Sequence, residues 1–259
     1  MSTWKVEFFE KPKLKDPILI EGLPGIGNIG KLAVDFIIDE LKAKKLLSFF
    51  SYSLPHSVFI NEKNLVELPT IELYYKQFKG KKNDLLLLAG DIQPMDEQSC
   101  YAFSDKVLDI FQEFGGKEII TIGGIAMRKV PENPLIYCTA NHKEIVKKYI
   151  SGTKINNKLY GVVGPIIGVT GVMLGLASRR KIKAISLLSE TYGHPLYLGV
   201  KGAREIIKIL NSKLAMGINL KSLDKEIQKL EQEVGQKTKE LAQLPTKMKM
   251  PAEETRYIG

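Results

Sequence analysis

Residues 18–41, ILIEGLPGIGNIGKLAVDFIIDEL, contain an apolar strand, a glycine-rich turn and the apolar periodicity of a helix. Gly25, Gly27 and Gly30 have the G-x-G-x-x-G spacing of a dinucleotide-binding turn, in which backbone N–H groups approach a pyrophosphate. Glycines at these positions also allow a helix to pack closely on a sheet. The stretch therefore predicts an α/β fold, and its turn is either a phosphate site or a packing turn.

The other parts of a nucleotide site are missing from the sequence. A ribose-binding carboxylate is expected about 20 residues further on, at the end of the second strand, but KLLSFFSYSLPHSV at 45–58 contains no Asp or Glu. Pro24 removes one N–H group from the turn. Leu32 follows Lys31 where a phosphate loop has the hydroxyl that holds magnesium. We therefore favour the packing interpretation and predict no cofactor.

Short apolar runs alternate with helical patterns along the chain. Continuously apolar runs such as 84–91 are typical of strands buried on both faces, whereas 70–78 alternates as a half-exposed strand does. The predicted strands are 4–10, 17–20, 46–52, 64–68, 70–78, 84–91, 118–126, 134–140, 158–163 and 184–191, and the predicted helices are 31–43, 97–115, 143–150, 167–181 and 201–214. This order predicts a three-layer α/β/α domain with a mostly parallel central sheet over residues 1–220.

The character of the sequence changes after residue 220. In residues 221–244, apolar side chains recur at the spacing of a coiled-coil seam, which predicts an oligomerisation or packing helix. The residues of this seam are Leu223, Ile227, Leu230, Val234 and Leu241. Residues 245–259 contain two prolines and few apolar residues, which indicates a flexible C-terminal tail.

Composition argues against several classes of protein. The net charge of +9 comes from scattered lysines without interleaved aromatic residues, which indicates a solvated basic surface and makes nucleic acid an unfavoured partner.

Cys100 and Cys138 lack the spacing of a zinc site or a disulfide framework. No run of about 18 apolar residues is present for a membrane span. A cytoplasmic protein is expected.

Polar residues at predicted strand ends are the remaining candidates for chemistry. Asp91 and Glu190 would form an acid–base pair if they converged in a pocket. Alternatively, Asp91, Asp96 and Glu190 cap the helices that follow them, and we favour this interpretation. The three histidines lie in separate segments and no serine has the surroundings of a nucleophile. We therefore predict neither catalytic residues nor a metal site.

Several stretches together carry a resemblance to one family. In chain order they are EGLPGIGNIGKLAVDFII, GDIQP, IGGIAM, GVVGPIIGVTGVMLGLA, LLSETYGHP and the terminal YIG. From about Pro17 onward the chain resembles archaeal members of the proteasome assembly chaperone family. The resemblance implies an α/β/α domain without enzymatic activity, which forms a homo-oligomer and contacts the α ring of the 20S proteasome.

The resemblance also suggests a role for the tail. Family tails can insert a terminus of the form hydrophobic residue, tyrosine, any residue into pockets between α subunits, whereas here Tyr257 precedes Ile258 and Gly259. A terminal carboxylate could pair with a pocket lysine while Tyr257 or Ile258 fills apolar space.

The resulting hypothesis is a non-catalytic assembly chaperone or activator-like adaptor that docks on the proteasome through Arg256, Tyr257, Ile258 and Gly259. The alternative hypothesis is a nucleotide- or small-molecule-dependent enzyme. It would use the Gly25–Gly30 loop together with Asp91 and Glu190.

Overall fold

The computed structural model describes residues 4–80, 82–161, 164–195, 197–225 and 227–228. The chain divides into two compact units, Met1–Leu220 and Lys221–Gly259. The first unit contains all the strands and helices listed next, and the described part of the second is helical.

The described residues of the first unit contain ten strands and five α-helices. The strands are β1 (Lys5–Phe8), β2 (Ile18–Glu21), β3 (Lys44–Phe50), β4 (Phe59–Ile60), β5 (Val66–Glu67), β6 (Ile71–Lys76), β7 (Leu85–Gly90), β8 (Glu118–Met127), β9 (Ile136–Ala140) and β10 (Lys183–Tyr192). The helices are α1 (Ile29–Leu41), α2 (Glu97–Glu113), α3 (Lys143–Ile150), α4 (Val169–Arg179) and α5 (Val200–Leu214).

Eight strands form one mixed sheet in the order β1-β3-β6-β7-β2-β8-β10-β9, and β4 and β5 form a separate hairpin. The four central strands, β7, β2, β8 and β10, are parallel to one another. Strands β6, β3 and β1 at one end, and β9 at the other, pair antiparallel. Because the central strands run in one direction, they all end at the same edge of the sheet, which we call the carboxyl edge.

Helices cover both faces of the sheet. Helix α1 packs with α5, and helix α2 packs with α4. Leu19 of β2 and Leu86 of β7 lie in the same apolar core as Phe103 of α2 and Met173 of α4. Side chains alternate across a strand, so the fully buried Ile20 lies on the other face, where α1 contacts the sheet. The sheet therefore has a separate core on each face.

The predicted three-layer α/β fold is confirmed, with parallel pairing confined to the centre of the sheet. The predicted burial patterns also hold, because β7 is buried throughout and β6 alternates between buried and half-buried residues. The predicted strand at 158–163 is wrong over its described residues. Leu159 packs on a small apolar cluster while the chain turns at Gly161, where φ is +80°.

Candidate functional site

The glycine-rich loop between β2 and α1 brings three pieces of backbone into close contact. A Cβ added at Gly22 would lie 2.2 Å from the carbonyl oxygen of Gly30, and one added at Gly30 would lie 2.8 Å from that of Ile122 in β8. Gly27 has a φ of +64° and faces Thr191 of β10, whereas Gly25 has no neighbouring atom within 4 Å of an added Cβ. Two of the three motif glycines, Gly27 and Gly30, are therefore explained by packing and backbone conformation.

A buried carboxylate lies directly beneath this loop. Glu21 ends β2, is fully buried, and accepts hydrogen bonds from the Leu23 N–H group (3.0 Å) and the Thr170 hydroxyl (3.1 Å). Burial raises the pKa of Glu21 to about 7, although these hydrogen bonds act to lower it. The Glu21 side chain thus connects the glycine loop to the first turn of α4.

Gln93 makes a second connection between the same two segments. Its Nε2 donates to the Pro24 carbonyl oxygen at 2.7 Å, and its Oε1 accepts from the Val169 N–H group at 3.2 Å. One side chain therefore satisfies a carbonyl of the loop and an N–H group at the start of α4.

Replacing Gln93 by alanine is expected to lower the free energy of unfolding by about 2 kcal/mol, because each lost hydrogen bond contributes about 1 kcal/mol. Urea unfolding followed by circular dichroism would measure the change. Gln77→Ala is a suitable control, because Gln77 makes its hydrogen bond to Lys13 on an exposed surface. Equal effects of the two substitutions would contradict a bridging role for Gln93.

Asp91 lies at the end of β7, where neighbouring residues hold its side chain. It accepts hydrogen bonds from the Thr70 N–H group (3.0 Å) and hydroxyl (2.8 Å), and it lies 3.5 Å from the ammonium group of Lys31. Lys31 also pairs with Asp35 at 3.0 Å. Burial would raise the pKa of Asp91, but the hydrogen bonds from Thr70 and the charge of Lys31 lower it overall. The resulting carboxylate is anchored within the protein.

A shallow cavity of about 270 Å³ opens beside this group. Its polar lining residues are Lys31, Asp35, Asp39, Thr70, Glu72, Tyr74 and Asp91.

Glu190 is held in a different place from Asp91. It lies within β10 and accepts hydrogen bonds from the Leu135 N–H group (3.0 Å) and the Tyr137 hydroxyl (3.3 Å) at the junction with β9. Strands β2 and β8 lie between β7 and β10, which places Asp91 and Glu190 about 14 Å apart at the usual strand spacing. The structure therefore does not bring these two carboxylates together.

The helix-capping prediction holds for one of its three residues. Asp96 is the N-cap of α2 and accepts from the Ser99 N–H group at 2.8 Å. The capping prediction is wrong for Asp91, which caps no helix and instead joins the end of β7 to the start of β6. It is also wrong for Glu190, because β10 extends to Tyr192 and its edge pairs with β9.

Two groups of predicted partner-binding residues fall mostly outside the described residues. In the predicted oligomer helix, Leu223 and Ile227 are described and both are buried. The other three seam residues and the four tail residues lie outside the described residues; they are Leu230, Val234, Leu241, Arg256, Tyr257, Ile258 and Gly259. Their roles stay predictions.

The described part of the chain lacks two features, a helix that could span a membrane and a cluster of metal-binding side chains. None of the helices in that part combines the length and apolar character needed to cross a membrane. Nor do three or more His, Cys, Asp or Glu side chains in those ranges group together where a metal ion could be held.

Sequence reasoning missed Glu21 and Gln93. The available signal for Glu21 was a single acidic residue at the end of the apolar run ILIE. Gln93 had no local signal, because its two partners are 69 and 76 residues away in sequence.

Comparison with known proteins identifies the family to which this chain belongs. Residues 19–238 match the model of the PAC2 family. The chain belongs to the PAC2 family. This membership confirms the resemblance to the archaeal proteasome assembly chaperones.

Relatives of this PAC2 chain cover nearly its whole length. The crystal structure of Pyrococcus furiosus PbaB, an archaeal proteasome activator, is 33% identical, has a TM-score of 0.82, and matches 92% of this chain and 100% of its own. Pyrococcus furiosus PbaA, an archaeal homolog of proteasome-assembly chaperone, shares the fold at 23% identity and a TM-score of 0.72, over 92% and 93% of the two chains. The uncharacterized protein MJ1210 of Methanocaldococcus jannaschii is 29% identical over 95% of this chain and 93% of its own.

Proposed function

We propose that this PAC2 protein is a non-catalytic, cytoplasmic adaptor of the 20S proteasome, acting as an assembly chaperone or activator. The observation that carries the proposal is the 33% identity to the archaeal proteasome activator of Pyrococcus furiosus, matched over that entire chain. The match extends over 92% of this chain, which supports a shared fold for most of its length.

The polar groups at the carboxyl edge support a non-catalytic role. Glu21, Asp91 and Glu190 each accept hydrogen bonds from within the protein, and Asp91 and Glu190 are too far apart to share a proton. Close packing accounts for Gly22 and Gly30, and a positive φ accounts for Gly27, without a phosphate. The rival enzyme hypothesis requires reacting groups that lie together, and these features do not provide them.

Docking is proposed to occur through Arg256, Tyr257, Ile258 and Gly259, which would contact the α subunits. An aromatic and an aliphatic side chain in a short segment suit small apolar pockets between subunits. The chain is further proposed to form a homo-oligomer, helped by the helix that contains Leu223 and Ile227. Several tails on one oligomer would bind a ring of α subunits more tightly than a single tail does.

Deleting Arg256–Gly259 is expected to abolish binding to cognate proteasome α subunits. The full chain and the deletion variant would each be mixed with α subunits and separated by size-exclusion chromatography with light scattering. Glu253→Ala is the matched control, because it changes a residue of the same segment and keeps the last four. Oligomer size should be the same in all three proteins, because the predicted oligomer helix is intact.

Co-elution that survives the deletion would overturn docking through the tail. No complex with any of the proteins would overturn the proteasome role itself.

A further inference from the structure

The exposed large apolar side chains are concentrated at one edge of the sheet. They are Phe9, Ile26, Tyr52, Val58, Phe59, Ile60, Leu65, Val66, Leu68, Met95, Tyr101, Met127, Val130, Leu135, Tyr160 and Ile167 among the described residues. Strand directions assign all but Phe9 to segments at the carboxyl edge, where β2, β7 and β8 end and α2, α4 and β9 begin. Strand β3 also ends there, because it runs in the same direction as β7.

The most prominent part of this edge is the hairpin formed by β4 and β5. Phe59, Ile60 and Val66 of these strands are 47%, 70% and 70% exposed, and the flanking Leu65 and Leu68 are 60% and 61% exposed. The hairpin has two paired residues on each strand and is separate from the main sheet. An isolated hairpin of this size is only marginally stable in water. Covering its apolar side chains would stabilise it.

The two ends of the carboxyl edge carry opposite charges. Around the hairpin and the start of α2, four exposed acidic side chains outnumber two exposed basic ones, Lys63 and the Lys5 that lies over the Tyr52 ring. The acidic residues are Glu62, Glu67, Asp96 and Glu97. Near the start of β9, three exposed basic side chains outnumber one exposed acidic side chain, Glu132. The basic residues are Arg128, Lys129 and Lys158. From β3 to β9 the edge spans six strand spacings, about 30 Å.

We propose that a second copy of this chain covers the carboxyl edge, with a two-fold axis near its middle. In that arrangement the acidic hairpin end of each copy meets the basic end of the other, so the favourable charge pairing occurs twice. The hairpin residues Ile60 and Val66 of one copy would cover Val130 and Leu135 of the other. The net charge of +9 disfavours most other contacts between copies, which favours this balanced edge.

The inference rests on the homo-oligomer of the proposed function and adds the carboxyl edge as an interface beside the helix that contains Leu223 and Ile227. A charge-exchange cycle in the full chain tests it. Two double variants each reverse the charge of one end. They are Arg128→Glu with Lys129→Glu, and Glu62→Lys with Glu67→Lys. Each should raise the self-dissociation constant at low salt at least about tenfold. The four substitutions together should restore it to within a few-fold of the original, because they exchange the charges of the two ends. Sedimentation velocity over a concentration series measures the constant.

Substitutions of exposed apolar residues test whether weaker self-association is specific to this interface or follows from any change of an exposed apolar side chain. Ile60→Ser with Val66→Ser should also raise the dissociation constant at least about tenfold. Phe9→Ser is the matched control, because Phe9 is 51% exposed at the opposite edge and its loss should leave the constant unchanged. Thermal unfolding would verify that the exposed substitutions leave the fold intact.

The outcomes distinguish this inference from the function on which it rests. A wild-type chain that stays monomeric overturns both the homo-oligomer and the interface. An oligomer unchanged by the hairpin and charge variants overturns the interface alone. If these variants keep their oligomeric size but lose proteasome α subunits, the edge faces the proteasome and the proposed second copy is wrong.

Discussion

Replacing Gly22 by alanine is expected to lower the free energy of unfolding by about 3 kcal/mol, because the new methyl group overpacks a site that cannot relax. The added Cβ would lie 2.2 Å from the Gly30 carbonyl oxygen and 2.4 Å from a methyl carbon of Val34. Both residues belong to α1, which is packed on the sheet, so relief requires the whole helix to move. Urea unfolding monitored by circular dichroism measures the loss.

Gly25→Ala is the matched control within the same loop. Nothing lies within 4 Å of an added Cβ at Gly25, and its φ of −157° is extended backbone that alanine adopts freely. The change in stability should stay within about 0.5 kcal/mol. Similar losses for Gly22→Ala and Gly25→Ala would show that the loop does not depend on the close approach of α1. The packing interpretation of this glycine-rich turn would then be wrong.

Glu21→Gln is expected to make the protein more stable than wild type at pH 8 by about 3 kcal/mol, with little difference near pH 4. Burial raises the pKa of Glu21 from its ordinary 4.5 to about 7, so the folded state binds a proton more readily than the unfolded state. The stabilisation by this proton is full below about pH 4.5 and is lost as the pH rises through 7. Glutamine stays neutral throughout and keeps an oxygen for the Leu23 N–H group.

The measurement is the free energy of unfolding of both proteins between pH 4 and pH 8. Glu118→Gln is the contrasting control, since buried Glu118 accepts from the Lys148 ammonium (2.8 and 2.9 Å) and the Tyr149 hydroxyl (2.6 Å). Removing this charge should destabilise the protein at pH 7 by about 1–3 kcal/mol. A Glu21→Gln variant that follows wild type at every pH would show that Glu21 is not desolvated.

Local sequence patterns were sufficient for most secondary-structure elements of this protein. Apolar continuity predicted β7 and alternation predicted β6, because burial on two faces or one selects different side chains along a strand. The pattern at 158–163 failed because Leu159 contributes to an apolar cluster from a loop, and apolar spacing alone does not distinguish this from a strand. Local patterns did not indicate that strands at the ends of the sheet pair antiparallel. This is seen only in the pairing of β3 with β6 and of β10 with β9.

The sequence by itself determined the three-layer α/β class, the packing use of Gly27 and Gly30, and the resemblance to the archaeal proteasome assembly chaperone family. Each of these depends on residue type and spacing along the chain. Only the tertiary structure decided that Asp91 and Glu190 are apart, that Glu21 is buried against Thr170, and that the exposed apolar side chains share one edge. These facts depend on strand order, which is set by contacts between residues far apart in sequence.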